Sequence, residues 1–260
     1  MDDGAVAIAS AIIESKLEVL ELMENQIGRL GFEALINSLP KTKLTELAML
    51  GNEYNADDIQ LVFQMLPNCK LNRWSEDRSI TIATQKKLID NLASSQLTYL
   101  DLNITPIMIP SLLEASANSK LTAICFRSND GDSLCSKIAE NIHNLYFTEI
   151  IFLSYTHMTA KSVGMLFQAL QKNSSLTTII LPGKIGNTGV KEISRYFGDT
   201  AISSLSIIDG TLDDDSFPYF FHIISTGKLK YLQVSDNKFS EVCIAKFRIA
   251  SIEFNFHLLL

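Results

Sequence analysis

Apolar residues along this chain fall into a phrase that repeats at nearly fixed spacing. It reads Leu-x-x-Leu-x-Leu-x-x-Asn-x-Ile and is complete at Leu17, Leu20, Leu22, Asn25 and Ile27. It returns at Leu44, Leu47, Met49 and Asn52, and near the other end as Leu229, Leu232, Val234, Asn237 and Phe239. Taking the first apolar residue of each phrase as an anchor gives Leu17, Leu44, Leu71, Leu97, Leu121, Phe147, Leu176, Ile202 and Leu229, spaced 24 to 29 residues apart. A fixed period of this size marks an array of stacked supersecondary units.

Within each phrase the fourth and sixth places are apolar and their neighbours vary, which is the period-two signature of a strand with one buried face. Leu100 with Leu102, Ile124 with Phe126, Ile179 with Leu181 and Leu205 with Ile207 show it clearly. Between phrases the period changes to that of a helix: Phe32, Leu35, Ile36 and Leu39 lie on one helical face. Similar stripes run from Ile59 to Leu66, Leu88 to Leu92, Val163 to Leu170 and Phe217 to Ile224. Each unit is therefore one strand and one helix, with about nine units. Gly4 to Ile8 aligns with Gly31 to Leu35, so the reading starts within a repeat at 1–16, and 240–260 reads as a terminal helix or cap.

The phrase resembles the leucine-rich repeat family. The helical segment and the run Asn25 to Leu35 are similar to its ribonuclease-inhibitor-like subclass. The resemblance implies an α/β solenoid over 1–260, a horseshoe with a parallel concave sheet and convex helices, forming a single domain. It implies a non-enzymatic protein–protein interaction scaffold. The degenerate repeats and the Ile, Asn, Ser and Lys usage are similar to leucine-rich repeat effectors of intracellular bacteria, which would place the chain in a host cytosol, acting on a host protein.

Departures from the phrase carry their own expectations. Its ninth place is Asn at 25, 52, 129 and 237, but Ser79, Thr105, Tyr155, Lys184 and Gly210 elsewhere, so irregularity is expected in mid-array. In the third repeat the inward places are Trp74 and Glu76. A carboxylate facing the core would cost several kcal/mol unless paired. That strand is expected to bend so that Glu76 reaches water, leaving the third repeat the weakest.

Composition narrows the function further. The chain has 260 residues, 47% hydrophobic, with a formal charge of −7. An acidic chain with no basic run of five argues against nucleic acid or an anionic membrane as partner. Met1-Asp2-Asp3 lacks the basic start of a secretory signal, and no apolar run reaches ~18 residues. Cys69, Cys125, Cys135 and Cys243 form no CxxC pair and suit a reducing, cytoplasmic setting. Cys135 reads as core packing and Cys125 as a small residue on the outward strand face.

Candidate chemistry is sparse. His143, His157, His222 and His257 have no metal-ligand spacing, and no catalytic or cofactor-binding residue is assigned. Pro182 to Gly186 reads as a strand-to-helix turn, and Asp213 to Asp215 as helix capping. The alternative function is a regulator that stimulates a small GTPase, with Arg73, Arg78 and Arg127 near one rim. The leading reading is a monomer without cofactor that binds a protein partner on the outward strand residues. In the N-terminal repeats Glu21, Glu46, Arg73, Asp77 and Asp101 read as charged and well solvated. The protein-binding residues are Tyr99, Ile151, Leu153, Ile180, Ile208 and Tyr231, with Pro182 among them on the apolar C-terminal face.

Overall fold

The inward leucines and isoleucines of each phrase do become one face of a strand, and the helical stripes pack behind them. The computed structural model describes residues 2–153 and 155–260. It divides into two compact units, Met1–Cys125 and Phe126–Leu260. Both are α/β leucine-rich-repeat arrays in which a parallel strand alternates with a helix.

In the first unit the strands are β1 (Val19–Glu21), β2 (Glu46–Ala48), β3 (Arg73–Ser79) and β4 (Tyr99–Asn103), with β5 (Ala123–Phe126) at the division. They alternate with α1 (Asp2–Ala11), α2 (Arg29–Ser38), α3 (Ile59–Met65), α4 (Ile82–Leu92) and α5 (Ile109–Ser116). Strands pair in chain order, with Leu20 beside Leu47 and Trp74 beside Leu100. The predicted stripe of α2 is buried throughout, from Phe32 to Leu39.

In the second unit α6 (Gly131–Glu140), α7 (Ala160–Leu170), α8 (Gly186–Tyr196), α9 (Phe217–Ser225) and α10 (Glu241–Glu253) alternate with the strands. These are β6 (Glu149–Phe152), β7 (Thr178–Pro182), β8 (Ser204–Ile208), β9 (Tyr231–Gln233) and β10 (His257–Leu259), again parallel and in chain order. The last strand exceeds the nine expected from anchors, because His257 to Leu259 adds a further ladder beside Tyr231 to Gln233. No helix among the described residues is long and apolar enough to cross a membrane.

Side chains stitch neighbouring repeats together in three rows. In the turns after the strands, Asn52 Nδ2 donates to Leu22 O (2.7 Å) and its Oδ1 accepts from Ile27 N (3.1 Å); Asn237 does the same for Ile207 and Leu212. Ahead of the strands, hydroxyls of Thr45, Thr98, Thr122 and Thr177 donate to a carbonyl of the preceding repeat. At the helix starts, a carboxylate in one helix start caps the next repeat: Asp2 accepts from Gly28 N (2.7 Å), Asp132 from Thr159 N (2.7 Å) and Asp214 from Ser240 N (2.9 Å). Orphan N–H groups at a helix start favour an anionic acceptor. Asp213 itself caps the short turn before α9 by accepting from Asp215 N (3.1 Å), as its place in the sequence predicts.

In one repeat that lacks the ninth-place Asn, another residue ties the turn. Thr105 stands there in the fourth repeat, and buried Gln85 of α4 reaches forward to it. Gln85 Oε1 accepts from Thr105 N (3.0 Å), and Nε2 donates to Thr105 Oγ1 (2.9 Å) and Ile80 O (2.9 Å).

Candidate protein-binding face

On β6 to β8 the inward residues Ile150, Ile179, Leu181, Leu205 and Ile207 have no accessible surface. Their alternates must therefore point away from the core. Register brings Ile151 directly beside Ile180, and Pro182 directly beside Ile208. Ile151, Leu153, Ile180 and Ile208 are half-buried, and Pro182 is buried. Leu153 follows the end of β6. Four apolar side chains, Ile151, Ile180, Pro182 and Ile208, thus occupy adjacent outward places on three strands.

Polar residues bound this cluster. Next to Ile180 lies Ser206, and next to Ser206 lies Gln233. Ser206 Oγ and the Tyr231 hydroxyl both donate to Gln233 Oε1, at 3.4 and 3.2 Å. Tyr231 pairs with Ser204, in the row one rung further from Ile208 than Gln233, and its ring stacks on His257 with centroids 5.4 Å apart. Register therefore sets Tyr231 beside the apolar cluster's polar border, not within the cluster.

Tyr99 belongs to the first unit and to different surroundings. It pairs with Arg73, whose guanidinium lies 4.2 Å from the ring centre, while Arg73 Nε is 3.5 Å from Glu46. Burial, followed by the neighbouring Cys125 and Asp101, pushes the Tyr99 hydroxyl well above its ordinary pKa. Asp101, expected to be solvated, is buried at 5% exposure, in register with Ser75 of β3. Cys125 is buried beside Tyr99, and Cys135 is buried in the core.

The third repeat overturns one expectation. Ser75 and Ser79 of β3 face Asp101 and Asn103 of β4, so β3 bulges between them, as the sequence predicts. The bulge does not carry Glu76 to water. Glu76 is fully buried, and the same bulge folds Arg78 back onto it. Arg78 Nη1 donates to Glu76 Oε1 (2.9 Å), Arg78 N to the same oxygen (3.0 Å) and the Tyr54 hydroxyl to Oε2 (3.1 Å). The guanidinium also lies 4.1 Å from the Tyr54 ring centre and donates to Asn52 O. Tyr54 stacks in turn on Phe32 with centroids 4.0 Å apart.

Burial raises the Glu76 pKa despite these three donors. At the more exposed Arg78, burial acts to lower the pKa but Tyr54 and Glu76 together raise it. Trp74, as expected, faces inward and is buried, but its indole Nε1 has no hydrogen-bond partner among the described residues. The sequence reading missed this network: Arg78 stands only two residues from Glu76, a spacing that could have signalled the pair, whereas Tyr54, twenty-two residues upstream, carries no signal.

Neither a protein-family model nor a curated protein matches the sequence. Among solved structures the chain is similar to one in the complex of Rad7 and Elc1 from yeast, at 16% identity and a TM-score of 0.48, over 90% of this chain and 66% of that one. It thus spans just under two thirds of that protein's length. It is also similar to an internalin from Listeria monocytogenes (14% identity, TM-score 0.30, 94% of this chain and 91% of that one). A leucine-rich-repeat protein from Leptospira interrogans is similar at 15% identity and a TM-score of 0.36, over 98% of this chain and 74% of that one. The leucine-rich-repeat architecture rests on this chain's own strands, phrases and inter-repeat ladders.

Proposed function

We propose that the chain is a cytoplasmic, non-enzymatic scaffold that binds a protein partner, with the outward apolar places of β6 to β8 as the contact centre. The observation that carries this reading is the register of Ile151 with Ile180 and of Pro182 with Ile208. Single exposed apolar residues are ordinary on protein surfaces, whereas contiguous ones on adjacent strands mark an interaction site. Leu153 extends the cluster beyond the strand end. Ser206, Gln233 and Tyr231 supply the polar border that a protein contact needs for register. Tyr99 contributes in the first unit as a separate aromatic contact beside Arg73.

The reading as a bacterial effector acting in a host cytosol is an extension of this one, resting on the degenerate repeats and residue usage. A GTPase-regulating role would draw on Arg73, Arg78 and Arg127. The structure gives it no specific support at Arg73 and Arg78, which are engaged with Glu46 and Tyr99 and with Glu76 and Tyr54.

The test replaces Ile151, Ile180 and Ile208 together by Thr. Threonine keeps the β-branch that suits a strand and avoids setting like charges side by side. Completing the burial of each half-buried Ile is worth about 1 kcal/mol, so the triple variant should bind roughly 100-fold more weakly. Proteins captured by the immobilised wild type and lost from the folded variant would identify the partner. An unchanged set would move the contact surface elsewhere.

A further inference from the structure

The residue immediately before each anchor leucine forms a second pattern. In the first unit it is Lys16, Lys43, Lys70, Gln96 and Lys120. Residues 39–45, 66–72, 93–98 and 117–122, which lead into β2 to β5, hold four lysines and no acidic residue. The unit as a whole carries sixteen acidic and ten basic side chains, so this edge is opposite in sign to the rest of it. Only groups within about 8 Å act strongly at physiological salt, so the local row rather than the net charge sets what this edge attracts.

Backbone packing fixes that row. Leu44, Leu71, Leu97 and Leu121, each next in sequence to a row residue, are buried. The residue after the anchor ties the edge to the preceding repeat: Thr45 to Glu18 O (3.1 Å), Thr98 to Asn72 O (3.1 Å) and Thr122 to Thr98 O (3.2 Å). Lys43, Lys70 and Lys120 are exposed, and none forms an ion pair among the described residues. Gln96 bridges the gap in the charges, because Lys120 Nζ donates to its Oε1. Beside the row runs a groove of about 640 Å³, lined among others by Pro40, Pro67, Asn68, Lys70, Gln96 and Lys120.

We propose that this edge of the first unit binds an acidic, extended peptide segment of a partner protein, with Lys43, Lys70 and Lys120 as the charge contacts. Adjacent strands lie ~4.8 Å apart, which sets Lys43 and Lys70 one step apart and Lys120 two steps beyond. An extended peptide presents alternate side chains every ~6.7 Å, within reach of flexible lysines on that ladder. Asn68, Asn72 and Gln96 supply amide groups for its backbone. Aromatic rings, on which the bases of single-stranded nucleic acid stack, do not line the groove. This surface is separate from the apolar face proposed above and does not depend on it.

The test is fluorescence anisotropy of a labelled twelve-residue peptide alternating Glu and Ser, titrated with the 260-residue chain at low and high salt. Wild type should bind, more weakly as salt rises. Lys43→Gln/Lys70→Gln/Lys120→Gln should weaken binding at least about tenfold, or about 1.4 kcal/mol, with an unchanged circular dichroism spectrum. The matching Lys→Arg triple variant should bind like wild type. No binding by wild type would overturn the proposal, as would full binding by the Gln variant. Equal loss in Lys172→Gln/Lys184→Gln/Lys230→Gln would show a general charge effect and overturn it. Stronger binding of a single-stranded RNA twelve-mer, or of phosphatidylserine vesicles, than of the peptide would also overturn it.

Discussion

Replacing Arg78 by Met tests whether Glu76 is held in the core by its own cation. Arg78 Nη1 donates to Glu76 at 2.9 Å, and Glu76 has no contact with solvent. Removing one partner of a buried pair costs about 3–5 kcal/mol, because the other charge is left uncompensated. Here the carboxyl has an escape: it can take up a proton. From an ordinary pKa of ~4.3, protonation at pH 7 costs about 1.4 kcal/mol per unit, or close to 3.7 kcal/mol. That is the ceiling on the charge-dependent loss. To it add about 1–2 kcal/mol, independent of pH, for the lost contacts to Asn52 O and the Tyr54 ring. Arg78→Met should therefore lose up to about 5–6 kcal/mol at pH 7 and only about 1–2 kcal/mol near pH 4. In the double variant with Glu76→Gln the pH dependence should vanish. The wild type carries a weaker form of the same slope. Its Glu76 pKa is raised, so the folded form holds the proton more tightly than the unfolded chain does. The contribution is fullest below the ordinary carboxylate pKa and declines as pH rises through the folded value. Urea unfolding followed by tryptophan fluorescence is the assay, since Trp74 is the chain's single tryptophan and sits two residues away. A loss under about 1 kcal/mol that does not change with pH would mean that Glu76 reaches water and the reasoning fails.

Other outcomes follow from the same structure. Gln85→Leu strands Thr105 N and Ile80 O and should cost about 2 kcal/mol by urea unfolding; no loss would mean that the Gln85 bridge is ornamental. Hydrogen exchange should open Arg73 to Ser79 before Thr178 to Pro182, since β2 and β3 share the single register pair Glu46 with Arg73, whereas β7 and β8 share five; equal protection would contradict this. Asp214, which accepts two hydrogen bonds from Ser240, and Asp132, where bonds from Ser162 and Thr159 outweigh burial, both have lowered pKa values. Their contributions are complete above the ordinary carboxylate pKa and are lost as pH falls through the folded values, so carbon-detected NMR titration should place both midpoints below ~3.9.

The repeat and its strand–helix alternation were legible because burial imposes two different periods, and Leu100, Leu102, Phe32 and Leu35 obey them without exception. The bulge at β3 was legible too, since Trp74 and Glu76 break the apolar layer. What the sequence concealed was the remedy. A phrase-based reading assigns each inward position independently, but Glu76 is accommodated by Arg78 from its own strand and Tyr54 from the repeat before. Gln85 escaped notice for the same reason: on α4 it looks like one more helical polar residue, and only the turn at Thr105 shows its task. The apolar face was half legible. Alternation identified which residues point outward, but register decided which of them touch, and it separated Tyr231 from Ile208.

These cases share a cause that bears on where recognition resides in such a chain. The inward places are fixed by burial, and the Asn, Thr and Asp ladders are fixed by unpaired backbone groups. Burial acts in every repeat and the ladders recur in several, so neither can distinguish one partner from another. Selectivity is left to the positions that the repeat does not constrain: the outward strand places and the residue before the anchor. Those are the positions at which the two units differ. Before the anchor the first unit has Lys16, Lys43, Lys70, Gln96 and Lys120, where the second has Tyr146, Ser175, Ala201 and a single lysine, Lys228. At the fifth, outward place of the phrase the first unit has Glu21, Ala48, Ser75, Asp101 and Cys125, where the second has Ile151, Ile180, Ser206 and Gln233. Substituting either set therefore changes surface chemistry at places where no inter-repeat ladder depends on the side chain. Loss of cooperative unfolding in the Ile151→Thr/Ile180→Thr/Ile208→Thr variant would contradict that separation, because it would show outward residues holding the array together.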